Sequence, residues 1–288
     1  MANLIFGTAT FKKKYGITNT DKILGQEEIS NILFSAQSLG ICEFDTAPGY
    51  GNAEHYLGEF LSKKIKARIS SKIGGESCTS ASSILNSVKE SLVRTKTKKL
   101  RTVFLHEPEL LYGPNAAEIK DGLKELLALD LTERIGASVY CLDTLLRVKE
   151  IFPELNTFQV PENICDQRMF NSKQLFDLKE ENNSFIVRSV FLQGLLLMPL
   201  NDLPKNLTKA RKSLLQLEEF SKSLGVSRLD LCLAYGKAIP WASEIIVGAA
   251  YPSQLREIVE SNFNLPEDWQ IKVHKLPNEI LDPRKWAL

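Results

Sequence analysis

EEISNILFSAQSLGICEFD, residues 27–45, holds the pattern that decides the fold. Ile29, Ile32, Leu33, Ala36 and Leu39 recur at helical spacing, so Glu27–Leu39 reads as an amphipathic helix. After Gly40 the period changes, and Ile41–Asp45 is a short β-prone run that ends in an acid. The same step recurs along the chain. The runs Leu4–Thr8, Ala67–Lys72, Thr102–His106, Arg134–Val139, Thr157–Val160, Phe185–Phe191 and Glu244–Gly248 share the β-prone character. Between them lie helix-period segments such as Ser82–Arg94, Ala117–Leu129, Leu142–Ile151 and Lys209–Leu224. This alternation is the mark of parallel βα units. No Pro/Gly/Ser-rich linker breaks it, so the predicted fold is α/β: a single closed (β/α)8 TIM barrel over residues 1–288. Arg228–Ile239 reads as an extra helix before the last strand. The segment after Phe263, with Pro266, Pro277 and Pro283, reads as an irregular C-terminal tail.

Composition narrows the function classes. Lys plus Arg (36) against Asp plus Glu (35) leaves a formal charge of +1, so no global field attracts nucleic acid or an anionic bilayer. Five cysteines, odd in number and without a CxxC pair, argue against a disulfide framework or a zinc ribbon and fit a reducing compartment. The N-terminal residues lack the basic and long apolar regions of a signal peptide, and no apolar stretch is long enough to span a bilayer. The expectation is a cytoplasmic protein with no nucleic-acid, membrane or metal partner. There is no HExxH, GxSxG, Walker A or GxGxxG pattern, so the zincin, α/β-hydrolase, P-loop and standard Rossmann readings lose their main support.

A (β/α)8 barrel carries its site at the C-terminal ends of the strands, so the residues that close each run decide the chemistry. The second run ends in Asp45, with Tyr50 in the loop beyond it; the third ends in Lys72 and the fourth in His106. Reducing a carbonyl creates an alkoxide, which needs a proton donor and a positive field. The Tyr50 phenol can give the proton, the Lys72 ammonium can favour its release, Asp45 can balance that ammonium, and neutral His106 can orient the carbonyl oxygen. Taken singly, each has an ordinary reading: a turn residue, a loop aromatic, a solvated charge, a structural histidine. Their convergence on one rim favours catalysis.

At these residues the chain resembles the aldo-keto reductase superfamily. Phe44-Asp45-Thr46-Ala47-Pro48-Gly49-Tyr50-Gly51-Asn52-Ala53-Glu54, with Leu57-Gly58, is similar to its D-T-A-x-x-Y-G-x-x-E-x-x-L-G signature, and Ser71-Lys72 and Leu105-His106 to its strand-end lysine and histidine. Ile135-Gly136-Ala137-Ser138 and Phe158-Gln159 resemble the segments that hold the nicotinamide carboxamide. Gln193-Gly194-Leu195-Leu196 resembles a further family segment, and Ile246-Val247-Gly248-Ala249 with Gln254-Leu255 the phosphate-binding end.

The resemblance implies an NAD(P)H-dependent oxidoreductase that reduces an aldehyde or ketone, with Asp45, Tyr50, Lys72 and His106 catalytic. It implies cofactor contacts from Ser138, Gln159, Arg188, Gly248, Ala249 and Gln254, and NADP(H) favoured over NAD(H). The chain departs from the family's pattern at Val139, where Asn is frequent, and at Arg188, where many members stack a tyrosine on the nicotinamide. It departs again at Gly248 and Gln254, where basic residues read the 2′-phosphate. Arg256 is the nearest substitute reader, and Arg188 either pairs with a rim carboxylate such as Glu162 or serves a ligand. The segments around Tyr15 and Arg188 resemble a bacterial branch linked to surface sugars, which implies a sugar-derived carbonyl. Since every candidate comes from one rim, a monomer acting on a small-molecule carbonyl is expected. The alternatives are a dehydrogenase working oxidatively and a nicotinamide-binding regulatory subunit of the same superfamily.

Overall fold

The computed structural model describes residues 3–12, 15–17, 24–61 and 67–286. Eight parallel strands close into a barrel in chain order. They are β1 (Asn3–Gly7), β2 (Glu43–Asp45), β3 (Arg68–Ile73), β4 (Leu100–Leu105), β5 (Thr132–Ser138), β6 (Thr157–Pro161), β7 (Ser184–Arg188) and β8 (Glu244–Val247). Closure is the pairing of β1 with β8, where Asn3 faces Glu244 and Phe6 faces Val247. The helices are α1 (Gln26–Ser38), α2 (Ala53–Leu61), α3 (Ala81–Thr95), α4 (Ala116–Ala128), α5 (Leu142–Ile151), α6 (Lys173–Glu180), α7 (Arg211–Leu224), α8 (Arg228–Ala238), α9 (Pro252–Glu260) and α10 (Trp269–Lys272).

Apolar spacing drives this arrangement. The α1 residues Ile29, Ile32, Leu33 and Ala36 are the ones it buries. Each of the Ile and Leu side chains contributes ~1.5–3 kcal/mol on leaving water, and Ala36 less. Helix starts are set by side chains: Ser227 and Asp230 cap α8 reciprocally, each accepting the other's backbone N–H at 3.1 Å. Inside the barrel Ile5, Phe104, Ile186 and Ile246 form a compact plug. Gly136 makes room for it, because a Cβ there would stand 2.9 Å from the Phe104 ring and 2.2 Å from the Thr157 carbonyl oxygen.

Three sequence expectations are corrected. The run Phe185–Phe191 is not one strand: β7 stops at Arg188, and Ser189 (φ 64°), Leu192 (45°) and Gln193 (54°) adopt left-handed backbone. Of the two helices before β8, it is α8 that lies on the sheet, since a Cβ at Gly236 would meet Ile245 Cδ1 at 3.1 Å. The additional helix is α7, packed on α8 and α10. Arg101 belongs to the run Lys96, Lys98, Lys99 and Arg101, which in the sequence reads as a solvated helix end; it is buried at the strands' N-terminal ends, paired with Glu43 and, at 2.6 Å, with Glu244. The tail is irregular but anchored, burying Trp269, Val273, Leu276, Ile280 and Leu281.

Candidate active site

The rim residues meet in one cavity of ≈ 480 Å³ at the C-terminal mouth of the barrel. Asp45 ends β2, and the chain turns at once: Tyr50 N donates to the Ala47 carbonyl at 3.0 Å and Gly51 takes φ 64°. That turn swings Tyr50 back over the mouth before α2 begins. Lys72, on β3, is buried and its Nζ lies 2.5 Å from Asp45 Oδ2, 3.0 Å from the Thr46 carbonyl oxygen and 5.0 Å from the Tyr50 ring centroid. Burial alone would lower the ammonium pKa, but Asp45 and then the Tyr50 phenol outweigh it and hold it above its ordinary value. Lys72 is therefore a cation throughout the neutral range. His106 follows β4, held by its backbone N–H on the Ile73 carbonyl at 2.7 Å. Its side chain is open to solvent on one side. The enclosing walls, and then Lys72 and Arg188, push its imidazole pKa down, so it is neutral at pH 7.

The second half of the signature is structural. Glu54 is buried and accepts from Ser71 Oγ at 2.7 Å and from Arg94 Nε at 2.7 Å, tying α2 to β3 and to the end of α3. A Cβ on Gly58 would sit 2.1 Å from the Arg94 carbonyl oxygen, so only glycine admits that last turn of α3. The motif thus clamps the segment that carries Tyr50.

On the far wall Gln159 donates through Nε2 to Asp45 Oδ1 at 2.5 Å, while its Oε1 is buried without a partner. Ser138 at the end of β5 lines the same cavity. Gly248, Ala249 and Gln254 line it at the β8–α9 end. Gln254 Oε1 there accepts the Ala250 N–H at 2.8 Å and closes the start of α9. Arg256 is not brought in. Two residues past Gln254 is about 200° around a helix, and Arg256 faces outward, 4.0 Å from Glu260. Glu257 lines the cavity on that side instead.

Arg188 lines the cavity without pairing with Glu162. Its Nη2 donates to the Val139 carbonyl at 2.9 Å and its guanidinium lies 4.1 Å from the Tyr140 ring centroid. Glu162 is buried and accepts from Tyr235 Oη at 2.6 Å. Burial pushes its carboxyl pKa up to about 8.

Four contributors escaped the sequence reading. Tyr15 stands in the cavity beside Tyr50, and burial first, then Tyr50, raises its phenol pKa well above the ordinary value. Tyr140 lies two residues beyond Ser138, within reach of the strand-end rule had it been carried past the strand. From the tail, Pro283 closes the cavity and Arg284 lies 3.4 Å from the Tyr140 centroid, a contact without local sequence signal.

No group of His, Cys, Asp and Glu able to hold a metal occurs among the described residues. No helix among them is long and apolar enough to cross a membrane.

A closed parallel barrel with an acid–base cluster of Asp, Tyr, Lys and His at its C-terminal mouth defines a class of barrel oxidoreductase. Residues 3–274 match the Aldo/keto reductase family. The chain belongs to that family, whose members are oxidoreductases that use nicotinamide cofactors. Among solved structures it is similar to a Pseudomonas aeruginosa protein assigned as an aldo-keto reductase, at 22% identity and TM-score 0.66, over 89% of this chain and 87% of that one. It is similar also to a glycerol dehydrogenase of Gluconobacter oxydans, at 19% identity and TM-score 0.71, over 93% and 89%. At these identities the likeness is one of fold. Comparison with curated proteins returns no match.

Proposed function

We propose that the chain is an NAD(P)H-dependent reductase of aldehydes or ketones, with Tyr50 as the proton donor. The observation that carries this reading is the buried Lys72–Asp45 pair beneath the Tyr50 ring, with His106 just past the end of the next strand and all four in one cavity. The cavity residues fit a nicotinamide dinucleotide. The unpartnered Gln159 Oε1 is an acceptor suited to a carboxamide NH2, with Ser138 beside it on the next strand. Gly248 and Ala249 line the cavity ahead of α9, whose N-terminal end suits a pyrophosphate, although Gln254 already takes the Ala250 N–H there. Arg188 stands at the remaining wall.

When bound, the cofactor supplies a hydride to the carbonyl carbon. Neutral His106 donates a hydrogen bond to the carbonyl oxygen and sets its approach. The Tyr50 hydroxyl protonates that oxygen as charge develops, and Lys72 favours the phenolate left behind. Asp45 holds the ammonium in place, and Gln159 holds Asp45.

The test is difference spectroscopy with NADPH and NADH followed by a carbonyl panel. Binding of neither cofactor would overturn the reading. Preference for NADPH, by ~10-fold, corresponds to a single charge-assisted contact. With Arg256 on the outer face, Arg256→Ala is expected to leave both dissociation constants within about twofold, as for a solvated charge. Fluorescence titration checks this, and loss of the NADPH preference in the variant would restore Arg256 as the 2′-phosphate reader.

A further inference from the structure

We infer that Arg188 makes the cavity select the reduced nicotinamide cofactor over the oxidised one, by fixing a positive charge beside the pyridine ring; the inference rests on the reductase reading above. Two constraints place that ring. Its carboxamide belongs with the unpartnered Gln159 Oε1 on β6, and its reacting carbon has to face a carbonyl held by His106 and Tyr50. β6 pairs with β7, where Pro161 stands opposite Arg188. The guanidinium therefore closes the strand next to the carboxamide site and lines the same cavity.

The charge is permanent and held in place. A guanidinium does not deprotonate in a protein. Nη2 donates to the Val139 carbonyl at 2.9 Å, Nη1 donates to Ser189 Oγ at 3.3 Å, and the guanidinium lies 4.1 Å from the Tyr140 ring centroid. None of these partners is anionic, and Nε is buried with no acceptor among the described residues. The field crosses the cavity: Arg188 helps to lower the His106 imidazole pKa and works against the rise of the Tyr15 phenol. Other charges share the mouth. Lys72 is paired with Asp45, and Glu107, beside His106, accepts the Gly75 N–H at 3.3 Å. Every charge other than Arg188 is the same in wild type and in a position-188 variant, so comparing the two isolates the guanidinium.

The two redox forms differ by one charge at the ring. The dihydropyridine is neutral and the pyridinium is a cation, whereas the pyrophosphate, riboses and adenine are identical. Repulsion between like charges several ångströms apart in a half-buried site alters an affinity by roughly 10- to 100-fold. The same repulsion opposes hydride loss from the ring, so Arg188 does not speed that step. It keeps the reduced form loaded and hastens the departure of the oxidised one. A dehydrogenase working oxidatively must first take up the form that this charge repels.

The experiment measures dissociation constants for NADPH and NADP+, and for NADH and NAD+, by fluorescence and calorimetric titration of wild type, Arg188→Gln and Arg188→Lys. ADP-ribose and its 2′-phosphate, which lack the ring, are the controls. In the wild type the reduced form should bind more tightly by the factor above. The ratio should fall towards one in Arg188→Gln, chiefly because the oxidised form gains affinity, and Arg188→Lys, which keeps the charge, should retain most of it. The ring-free controls should bind all three proteins alike. Should Arg188→Gln fail to fold, Arg188→Met takes its place. Three results overturn the inference and leave the reductase reading standing: a wild-type ratio near one, a ratio that survives Arg188→Gln, or a loss shared by both redox forms and the ring-free control, which would put Arg188 on the pyrophosphate. Binding of no dinucleotide by the wild type overturns both.

Discussion

Tyr50→Phe is expected to reduce carbonyl turnover by ~10²-fold or more while cofactor binding persists. The ring is what the Lys72 ammonium lies against, 5.0 Å from its centroid, and the substitution keeps the ring and removes only the hydroxyl. The turn that presents it is made by backbone, through the Tyr50 N–H on Ala47, so the loop has no reason to move. Tyr15 is the nearest candidate for a substitute acid, but burial raises its phenol pKa and makes it a reluctant donor. Single-turnover reduction and cofactor titration, run side by side, check the result. A variant that keeps the wild-type rate shows that another group gives the proton; if Tyr15→Phe in the Tyr50→Phe background then abolishes turnover, that group is Tyr15.

Much of this site was legible in the sequence, for a physical reason. In a parallel barrel the strand order is the chain order, so Asp45, Lys72 and His106, closing successive β-prone runs, had to become neighbours. The Ser138–Gln159 pair follows by the same logic, being in register between β5 and β6. What failed was decided by tertiary contacts. The β7 run is apolar through Phe191, yet Ser189 accepts the Leu192 N–H through its carbonyl at 2.9 Å and bends the chain away. Arg101 sits in a basic run, but closure of the barrel brings its side chain to Glu244 on a strand it does not pair with, far away in sequence and adjacent in space. Arg256 fails on periodicity, because the turn that brings Gln254 and Glu257 inward sends Arg256 out. The contact of Arg284 with Tyr140 depends on how the tail docks, which no local pattern encodes.

Lys72→Met is expected to destabilise the protein by ~3–5 kcal/mol, because it leaves Asp45 as a buried charge without its counter-ion. Only the Gln159 amide would still face that carboxylate. In a chain of this size the loss corresponds to a fall of roughly 5–15 °C in Tm. Reduction should fall as well, since the positive charge beside the Tyr50 ring is gone. The pH dependence has a definite sign. The folded-state pKa of Lys72 is raised, so its contribution is fully present below the ordinary lysine value and is lost as pH rises through the higher folded one. The stability gap between wild type and variant should therefore be flat from about pH 7 to 9 and narrow only at stronger alkali, above about pH 10.4. Denaturant unfolding across that range measures it. Adding Asp45→Asn removes the stranded charge, so the double variant should regain much of the stability and none of the turnover. A single variant as stable as the wild type would mean that Asp45 finds another partner or a proton, and a double variant that regains activity would remove both residues from the chemistry.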